Sequence, residues 1–352
     1  MRTAGLKDVA EAAGVHVATA SRALDDRRST MVRPETAERV RQAAAALGYR
    51  PNRMARGLKL NRSFTVGMLI PDITNPFFPP IVRGAEDCLA EAGFTLILAN
   101  TDNDEGKERR HVAGMLERQV DGLLVATARR RDPLIDELRS GQAPLVLVNR
   151  TIDRGGVTAV IPDDAAGMTL AVEHLYQLGH RRIGHAGGPA DTSTGARRAT
   201  GFAAAARLLE LDDSPIVQAA TFTQGAGLDA ARALLAQAPD LTAIVAGNDL
   251  IALGAMLAVE EGGRRCPGDV SVVGFNDMPF VDRFNPPLTT VRIPEYEIGR
   301  RAARMLLDRI DHPAEHTETI LISPELVVRG STAAPSVAAS DALGLTSGDG
   351  DA

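Results

Sequence analysis

Residues 6–24, close to the N-terminus, have the sequence LKDVAEAAGVHVATASRAL. Its first half places apolar residues at the spacing of one helix face: Leu6, Val9, Ala10 and Ala13. Gly14 follows and can adopt the turn conformation that other residues resist, and Val17 to Leu24 predicts a second helix. Two short helices joined by a tight turn predict a helix-turn-helix, a motif whose second helix can lie in the major groove of DNA.

The residues that follow predict a third helix and a short basic segment. PETAERVRQAAAAL, residues 34–47, has Pro in its first turn and is followed by Gly48, as helices often are. The next residues, GYRPNRMARGL, are basic and could form only a short helix, and isolated helices under ~12 residues are marginal in water. We therefore expect this segment to fold when it meets a partner.

Charge is distributed unevenly along the 352 residues, whose net charge is −6. Residues 1–62 hold thirteen Lys or Arg and six Asp or Glu, a balance of +7, and the remainder has a balance of −13. A basic head on an acidic body is typical of a protein whose one end binds a polyanion. The N-terminus carries charges where a signal peptide needs apolar residues, and no apolar run of ~20 residues occurs, so we expect a cytoplasmic protein without membrane contact.

The body, from residue 64 onward, alternates short apolar runs with helical segments, as in FTVGMLIP, FTLILAN, DGLLVAT, PLVLVNR and DVSVVGFN. This alternation predicts parallel sheets covered by helices on both faces, arranged as two doubly wound lobes. Ligands of such folds bind beyond the carboxyl ends of the strands. Polar residues follow or end several of these runs: Asp72, Asn149, Asn248 and Asn276.

Together these motifs closely resemble the LacI family of bacterial transcription regulators, in family order and up to about residue 330. The resemblance implies an all-α helix-turn-helix head, joined by a hinge helix to an α/β periplasmic-binding-protein-like core of two doubly wound parallel-sheet lobes. It also implies a repressor that binds a pseudo-palindromic, double-stranded operator as a homodimer. A small-molecule effector, a sugar or sugar derivative, would bind between the lobes and control it.

The resemblance also implies domain boundaries. The helix-turn-helix domain would span residues 1–50, and the hinge helix and linker residues 51–62. The effector-binding and dimerisation domain would span 63–330, with lobe 1 at about 63–161 plus 291–330 and lobe 2 at about 162–290. The small, polar tail, 331–352, is expected to be disordered.

Nine residues are implied to contact DNA: His16, Val17, Ala18, Thr19, Ser21, Arg22, Asn52, Arg56 and Leu58. Arg22 can donate two hydrogen bonds to a guanine edge, whereas Val17 and Ala18 offer methyl groups to a thymine. The hydroxyl and amide side chains suit phosphates, which set register without reading sequence. Leu58 matches the family's minor-groove wedge, which kinks a central base step.

Two head residues depart from the family pattern. His16 stands where the family usually has a Ser that can cap the recognition helix, and Arg33 stands where it usually has a Ser before the third helix. Losing a Ser cap costs ~1 kcal/mol, so we expect a slightly less stable head. Arg33 can instead contact a phosphate.

Six residues are implied to line the effector site: Asp72, Phe78, Asn149, Arg198, Asn248 and Asn276. An arginine among amides suits hydroxyl, carbonyl or carboxylate groups, and Phe78 offers a face for a ring. The family commonly has Asp at the positions of Asn149 and Asn276. Two amides in place of carboxylates repel an anion less, so an anionic or carbonyl-bearing effector and a neutral sugar both stay open.

Other function classes find less support. A solute receptor for sugars is the main alternative, and the missing signal peptide and the basic head oppose it. A sugar- or nucleotide-converting enzyme would need catalytic residues, and the sequence has neither GxGxxG after the first strand nor a Walker loop. His312 and His316 are four residues apart, but Pro313 lies between them. We expect no enzymatic activity, no cofactor and no metal.

Overall fold

The computed structural model describes residues 4–24, 31–49, 62–141, 143–211, 213–312 and 316–336. The chain divides into two compact units, Met1–Ser63 and Phe64–Ala352. The predictions for Asn52, Arg56 and Leu58, and nearly all of the predicted hinge, lie outside the described residues. Within them, no helix combines the length and apolar character that crossing a membrane requires.

Among its described residues, the first unit contains three helices: α1 (Leu6–Ala12), α2 (Val17–Ala23) and α3 (Pro34–Ala46). Val9, Ala20 and Val40, one from each helix, are fully buried against one another. Gly14 has a φ of +62° in the turn between α1 and α2, where the left-handed backbone favours glycine. The helix-turn-helix and the third helix are confirmed.

The second unit contains two sheets of six strands each within the described residues. The first sheet is entirely parallel and comprises β1 (Thr65–Ile70), β2 (Thr95–Asn100), β3 (Gly122–Val125), β4 (Leu145–Val148), β5 (Thr158–Pro162) and β11 (Thr319–Ile322), in the order β11-β5-β4-β3-β1-β2. The second comprises β6 (Ile183–Gly187), β7 (Ile216–Gln218), β8 (Ala243–Ala246), β9 (Ser271–Asn276), β10 (Thr289–Arg292) and β12 (Glu325–Val327), in the order β12-β10-β9-β8-β6-β7. Only the edge strand β12 is antiparallel to its neighbour. Each sheet is the centre of one lobe, so the two-lobed α/β architecture is confirmed.

Helices cover both faces of each sheet. They are α4 (Phe78–Glu91), α5 (Glu105–Glu117), α6 (Pro133–Arg139), α7 (Asp164–Gln177), α8 (Ser193–Leu208), α9 (Gln224–Gln237), α10 (Asp249–Glu261) and α11 (Glu295–Asp311). Strands β3 and β4 are buried along their whole length, which explains their unbroken apolar sequence. Helices α4 and α11 approach closely because Gly84 and Gly299 lie at their crossing, where a Cβ would collide with the backbone of the other helix.

The chain passes between the lobes three times: after β5, between β10 and α11, and between β11 and β12. The prediction that residues 291–330 all complete lobe 1 is therefore wrong. Strand β10 stays in the second sheet up to Arg292, and β12 returns to pair with it. A three-residue edge strand carries too little pattern to reveal this return.

The prediction of disorder from residue 331 is wrong for residues 331–336. Ser331 is fully buried, and its hydroxyl donates to the Val272 carbonyl at 2.6 Å. The Ala333 amide donates to the Ser271 hydroxyl at 3.1 Å. Serine hydroxyls thus form hydrogen bonds with backbone groups of β9 and of the segment beside it. Residues 337–352 lie outside the described part of the chain.

Candidate functional site

The recognition helix α2 begins at a side-chain cap. Nδ1 of His16 accepts a hydrogen bond from the Ala18 amide at 3.2 Å. His16 thus satisfies a free N–H of the first turn, as a capping Ser would. The expectation of a lost cap is wrong, because the imidazole nitrogen replaces the hydroxyl oxygen. Arg33, by contrast, makes no capping bond at α3.

Helix α2 turns one face inward and one toward solvent. Ala20 and Ala23 are buried in the head, while Ala18, Ser21 and Arg22 are exposed. Val17 and Thr19 lie half-buried at its edge, and His16 is exposed. The residues predicted to contact bases and phosphates from α2 therefore share a surface that a DNA groove can reach.

A cleft of about 320 Å³ lies between the two lobes. All six residues predicted for the effector site line this cleft: Asp72, Phe78, Asn149, Arg198, Asn248 and Asn276. Parallel strands of both sheets deliver four of these residues, because β1, β4, β8 and β9 all end there. Asn149 and Asn276 have φ values of +64° and +120°, conformations that few residues other than Gly, Asn and Asp adopt at low cost.

Arg198, on α8, is engaged with protein groups. Its Nε donates to Asp164 Oδ1 at 2.8 Å, its Nη1 to the Gly247 carbonyl at 2.6 Å and its Nη2 to Asn276 Oδ1 at 3.4 Å. Its guanidinium also lies 3.8 Å from the centre of the Phe275 ring. The side chains of Arg198 and Asp164 are 3% and 1% exposed, so their ion pair is deeply buried. No sequence pattern indicated Asp164 as the partner of Arg198, yet its carboxylate neutralises the guanidinium charge that we had expected to meet a ligand.

Arg150 is a buried cation of the cleft that the sequence patterns did not indicate. It is 5% exposed, and its Nη1 reaches the Thr127 carbonyl at 3.5 Å. Among the described residues, its Nε has no hydrogen-bond partner, and neither has Oδ1 of the adjacent Asn149. Burial lowers the pKa of Arg150 to about 10, which keeps it charged at neutral pH. A buried guanidinium with an unused donor is a group that a ligand oxygen can satisfy.

The other predicted residues have partly structural tasks. Oδ1 of Asn248 caps α10 by accepting from the Ile251 amide at 2.8 Å, which leaves its amide nitrogen as the donor for a ligand. Oδ1 of Asp72 accepts from the Thr74 amide and hydroxyl. Phe78 is 3% exposed and packs edge-on against Phe77 at 5.3 Å, so it offers little ring surface to the cleft.

The cleft wall contains further residues that local sequence patterns did not single out: Asn75, Asn103, Arg129, Arg150, Asp191, Thr192, Thr194, Thr221, Phe222 and Thr223. Phe222, half-buried, lies 5.9 Å from the Arg150 guanidinium and supplies an aromatic surface from the second lobe. Amides, hydroxyls, arginines and an aromatic ring together suit a polyhydroxylated ring compound. The sequence offered one signal that Arg150 belongs to the site, because Arg150 directly follows the predicted site residue Asn149.

Comparison with known proteins agrees with this architecture. A profile described as "Periplasmic binding proteins and sugar binding domain of LacI family" matches residues 63–329. A second profile, "Bacterial regulatory proteins, lacI family", matches residues 5–52. The chain belongs to the LacI family. The ribose operon repressor of Halalkalibacterium halodurans is 35% identical to it over 327 residues, which are 93% of this chain and 96% of that repressor.

Two solved structures are similar over nearly the whole chain. The Lac repressor dimer bound to operator and the anti-inducer ONPF has a TM-score of 0.81 and 26% identity, covering 95% of this chain and 100% of that one. The complex of the transcriptional regulator CelR with cellobiose has a TM-score of 0.72 and 32% identity, covering 93% of this chain and 99% of that one.

Proposed function

We propose that this LacI-family protein is a repressor that binds a pseudo-palindromic operator as a homodimer and is controlled by a carbohydrate effector in the inter-lobe cleft. The observation that carries the proposal is that one chain holds both an exposed α2 face with Arg22 and a polar cleft between two lobes. A solute receptor would not need the basic helix-turn-helix. Operator binding places the protein in the cytoplasm.

The similar proteins support each part of the proposal. One solved relative is a dimer bound to operator DNA, another is a regulator in complex with cellobiose, and a third relative is named for a ribose operon. A cleft of about 320 Å³ lies at the lower end of the range for small-molecule sites, about 300–1,000 Å³, which suits one or two sugar rings.

The effector we infer is a sugar that presents an acid or carbonyl oxygen to Arg150. Arg198 is neutralised by Asp164, whereas within the described residues Arg150 forms no ion pair and its Nε is unsatisfied. Amides at Asn149 and Asn276 add no negative charge to this part of the cleft. Asn149→Asp should therefore weaken a sugar acid or sugar phosphate at least tenfold and leave a neutral sugar unchanged or tighter. Calorimetry measures both, and an unchanged affinity for the anionic sugar would contradict the inference.

Operator binding is tested with DNA selected from genomic fragments by the full-length protein. Fluorescence anisotropy then compares the wild type with Arg22→Ala, which should lose about 1–3 kcal/mol of binding free energy and relax preference at one symmetric position. Arg232→Ala is the matched control, because Arg232 pairs with Glu261 on the surface of lobe 2. Equal losses in the two variants would show that α2 does not read bases.

A further inference from the structure

Two loops of lobe 1 contact one loop of lobe 2 at the mouth of the cleft. The Arg130 amide donates to the Asp191 carbonyl at 2.8 Å, and Nη1 of Arg130 donates to the Ala190 carbonyl at 3.3 Å. The Thr151 amide donates to the Ser193 hydroxyl at 2.9 Å. Each of these hydrogen bonds joins a donor on lobe 1 to an acceptor on lobe 2, so they can form only when the lobes are close together.

An ion pair crosses at the same place. Nε of Arg129 lies 3.5 Å from Asp191 Oδ2, and Arg129 is anchored on its own lobe by Glu105 and by the Asn103 carbonyl. Arg129 is thus held in position on lobe 1 before it meets lobe 2.

Arg130 is anchored in the same way. Its Nε donates to Asp153 Oδ1 at 3.0 Å, and the Asp153 amide donates back to the Arg130 carbonyl at 2.9 Å. Carboxylates of lobe 1 therefore hold both arginines in place: Glu105 holds Arg129, and Asp153 holds Arg130. The carboxylate that spans the gap is Asp191.

These contacts adjoin the effector site. Arg129 and Asp191 themselves line the cleft, and Asp191 directly precedes Thr192, a residue of the lobe 2 wall. On the lobe 1 side, Thr151 directly follows Arg150. Any movement that separates Arg130 from Asp191 therefore also separates the two walls that would hold a ligand.

We propose that Arg129, Arg130 and Asp191 are positioning residues of the effector site, forming an inter-lobe clasp that holds the two walls together before an effector binds. The clasp itself is independent of effector identity; only its role as a positioning device rests on the proposed function. A few hydrogen bonds, one of them donated by the exposed Arg130 guanidinium, and a partly exposed ion pair each contribute modestly. The clasp therefore opens and closes in equilibrium, which lets a ligand enter.

Amide hydrogen exchange of the full-length, ligand-free protein tests the clasp. Asp191→Asn removes the charge but keeps the residue 191 carbonyl that accepts from Arg130. If the ion pair helps to hold the lobes together, the Arg130 and Thr151 amides should lose protection by about two- to fivefold, the range for a partly exposed pair. Neither amide is bonded to the altered side chain, so their exchange reports lobe separation.

Asp136→Asn is the matched control, because Asp136 pairs with Arg139 at the same 3.5 Å but within lobe 1. It should leave both amides protected as in the wild type. Salt at 1 M should reproduce the Asp191→Asn effect in the wild type, since salt screens exposed pairs. Unchanged protection in both Asp191→Asn and high salt would overturn the clasp. The exchange is measured without operator or sugar. Its outcome can therefore contradict the clasp while the proposed function stands, and the reverse is also possible.

Discussion

Replacing Asp164 by Asn tests the buried ion pair that positions Arg198 at the cleft. Nε of Arg198 donates to Asp164 Oδ1 at 2.8 Å, and both side chains are almost fully buried. Burial raises the pKa of the Asp164 carboxyl, and the guanidinium groups of Arg198 and Arg197 oppose that rise. Asn keeps an oxygen for one hydrogen bond but leaves the guanidinium charge unpaired.

The expected magnitude follows from that burial. Removing one partner of a buried pair costs ~3–5 kcal/mol, because the other charge remains buried without compensation. Asn conserves shape and one acceptor, so we expect the lower end, about 3 kcal/mol. The unit Phe64–Ala352 is larger than the about 150–250 residues for which one kcal/mol shifts the melting temperature by roughly 2–4 °C, so we expect a shift of roughly 1.5–2 °C per kcal/mol. The melting temperature of Asp164→Asn should therefore fall by about 5 °C.

Urea unfolding followed by circular dichroism measures the change in the free energy of unfolding. Asp136→Asn, which alters an exposed pair, should change it by less than about 0.5 kcal/mol. Adding Arg198→Met to Asp164→Asn removes the unpaired charge, so a double-mutant cycle should show a coupling energy of about 1–3 kcal/mol. If Asp164→Asn lowers the free energy of unfolding by less than about 1 kcal/mol and the cycle shows no coupling energy, Asp164 does not neutralise Arg198.

Two further predictions concern histidines. His16→Ala should accelerate amide exchange at Ala18 about fivefold, since an N-cap is worth ~1 kcal/mol, and His16→Ser should restore protection; equal exchange in both variants would contradict the cap. Burial lowers the pKa of His185 to about 4 from an unfolded value near 6.5. The folded state thus binds fewer protons between these values, and its stability falls as the pH falls. From pH 7 to 5 the wild type should lose about 2 kcal/mol more than His185→Asn by urea unfolding, and parallel pH profiles would argue against a neutral His185.

Local patterns predicted the helices of the head and most strands of the body. In residues 6–24, apolar spacing and one glycine specify two helices and a turn, and burial on both faces of strands such as β4 leaves an unbroken apolar run. The six cleft residues were also predictable, because the family resemblance pointed to all of them and strand ends pointed to four, Asp72, Asn149, Asn248 and Asn276. Features that depend on neighbouring residues, such as apolar spacing and turn glycines, can therefore be predicted from the sequence.

The errors have a common physical origin in contacts between distant residues. Asp164 lies 34 residues from Arg198 in sequence, so no spacing rule could reveal that the guanidinium is neutralised. Ser331 satisfies the backbone at Val272, 59 residues away, although its composition favours disorder. Arg150 lies 72 residues from Phe222, the aromatic ring of the second lobe that it approaches, so no local sequence pattern indicated this contact.

One titration measures whether a ligand in the cleft controls operator affinity. Fluorescence anisotropy measures operator binding by the wild type and Arg150→Met, with and without the sugar that most raises the wild-type melting temperature. In the wild type the sugar should change the operator dissociation constant at least tenfold, in either direction. Arg150→Met should bind the operator normally without sugar and fail to respond at the same sugar concentration. A wild type that binds the sugar with no change in operator affinity would contradict control through the cleft, and a variant that responds equally would contradict the role of Arg150.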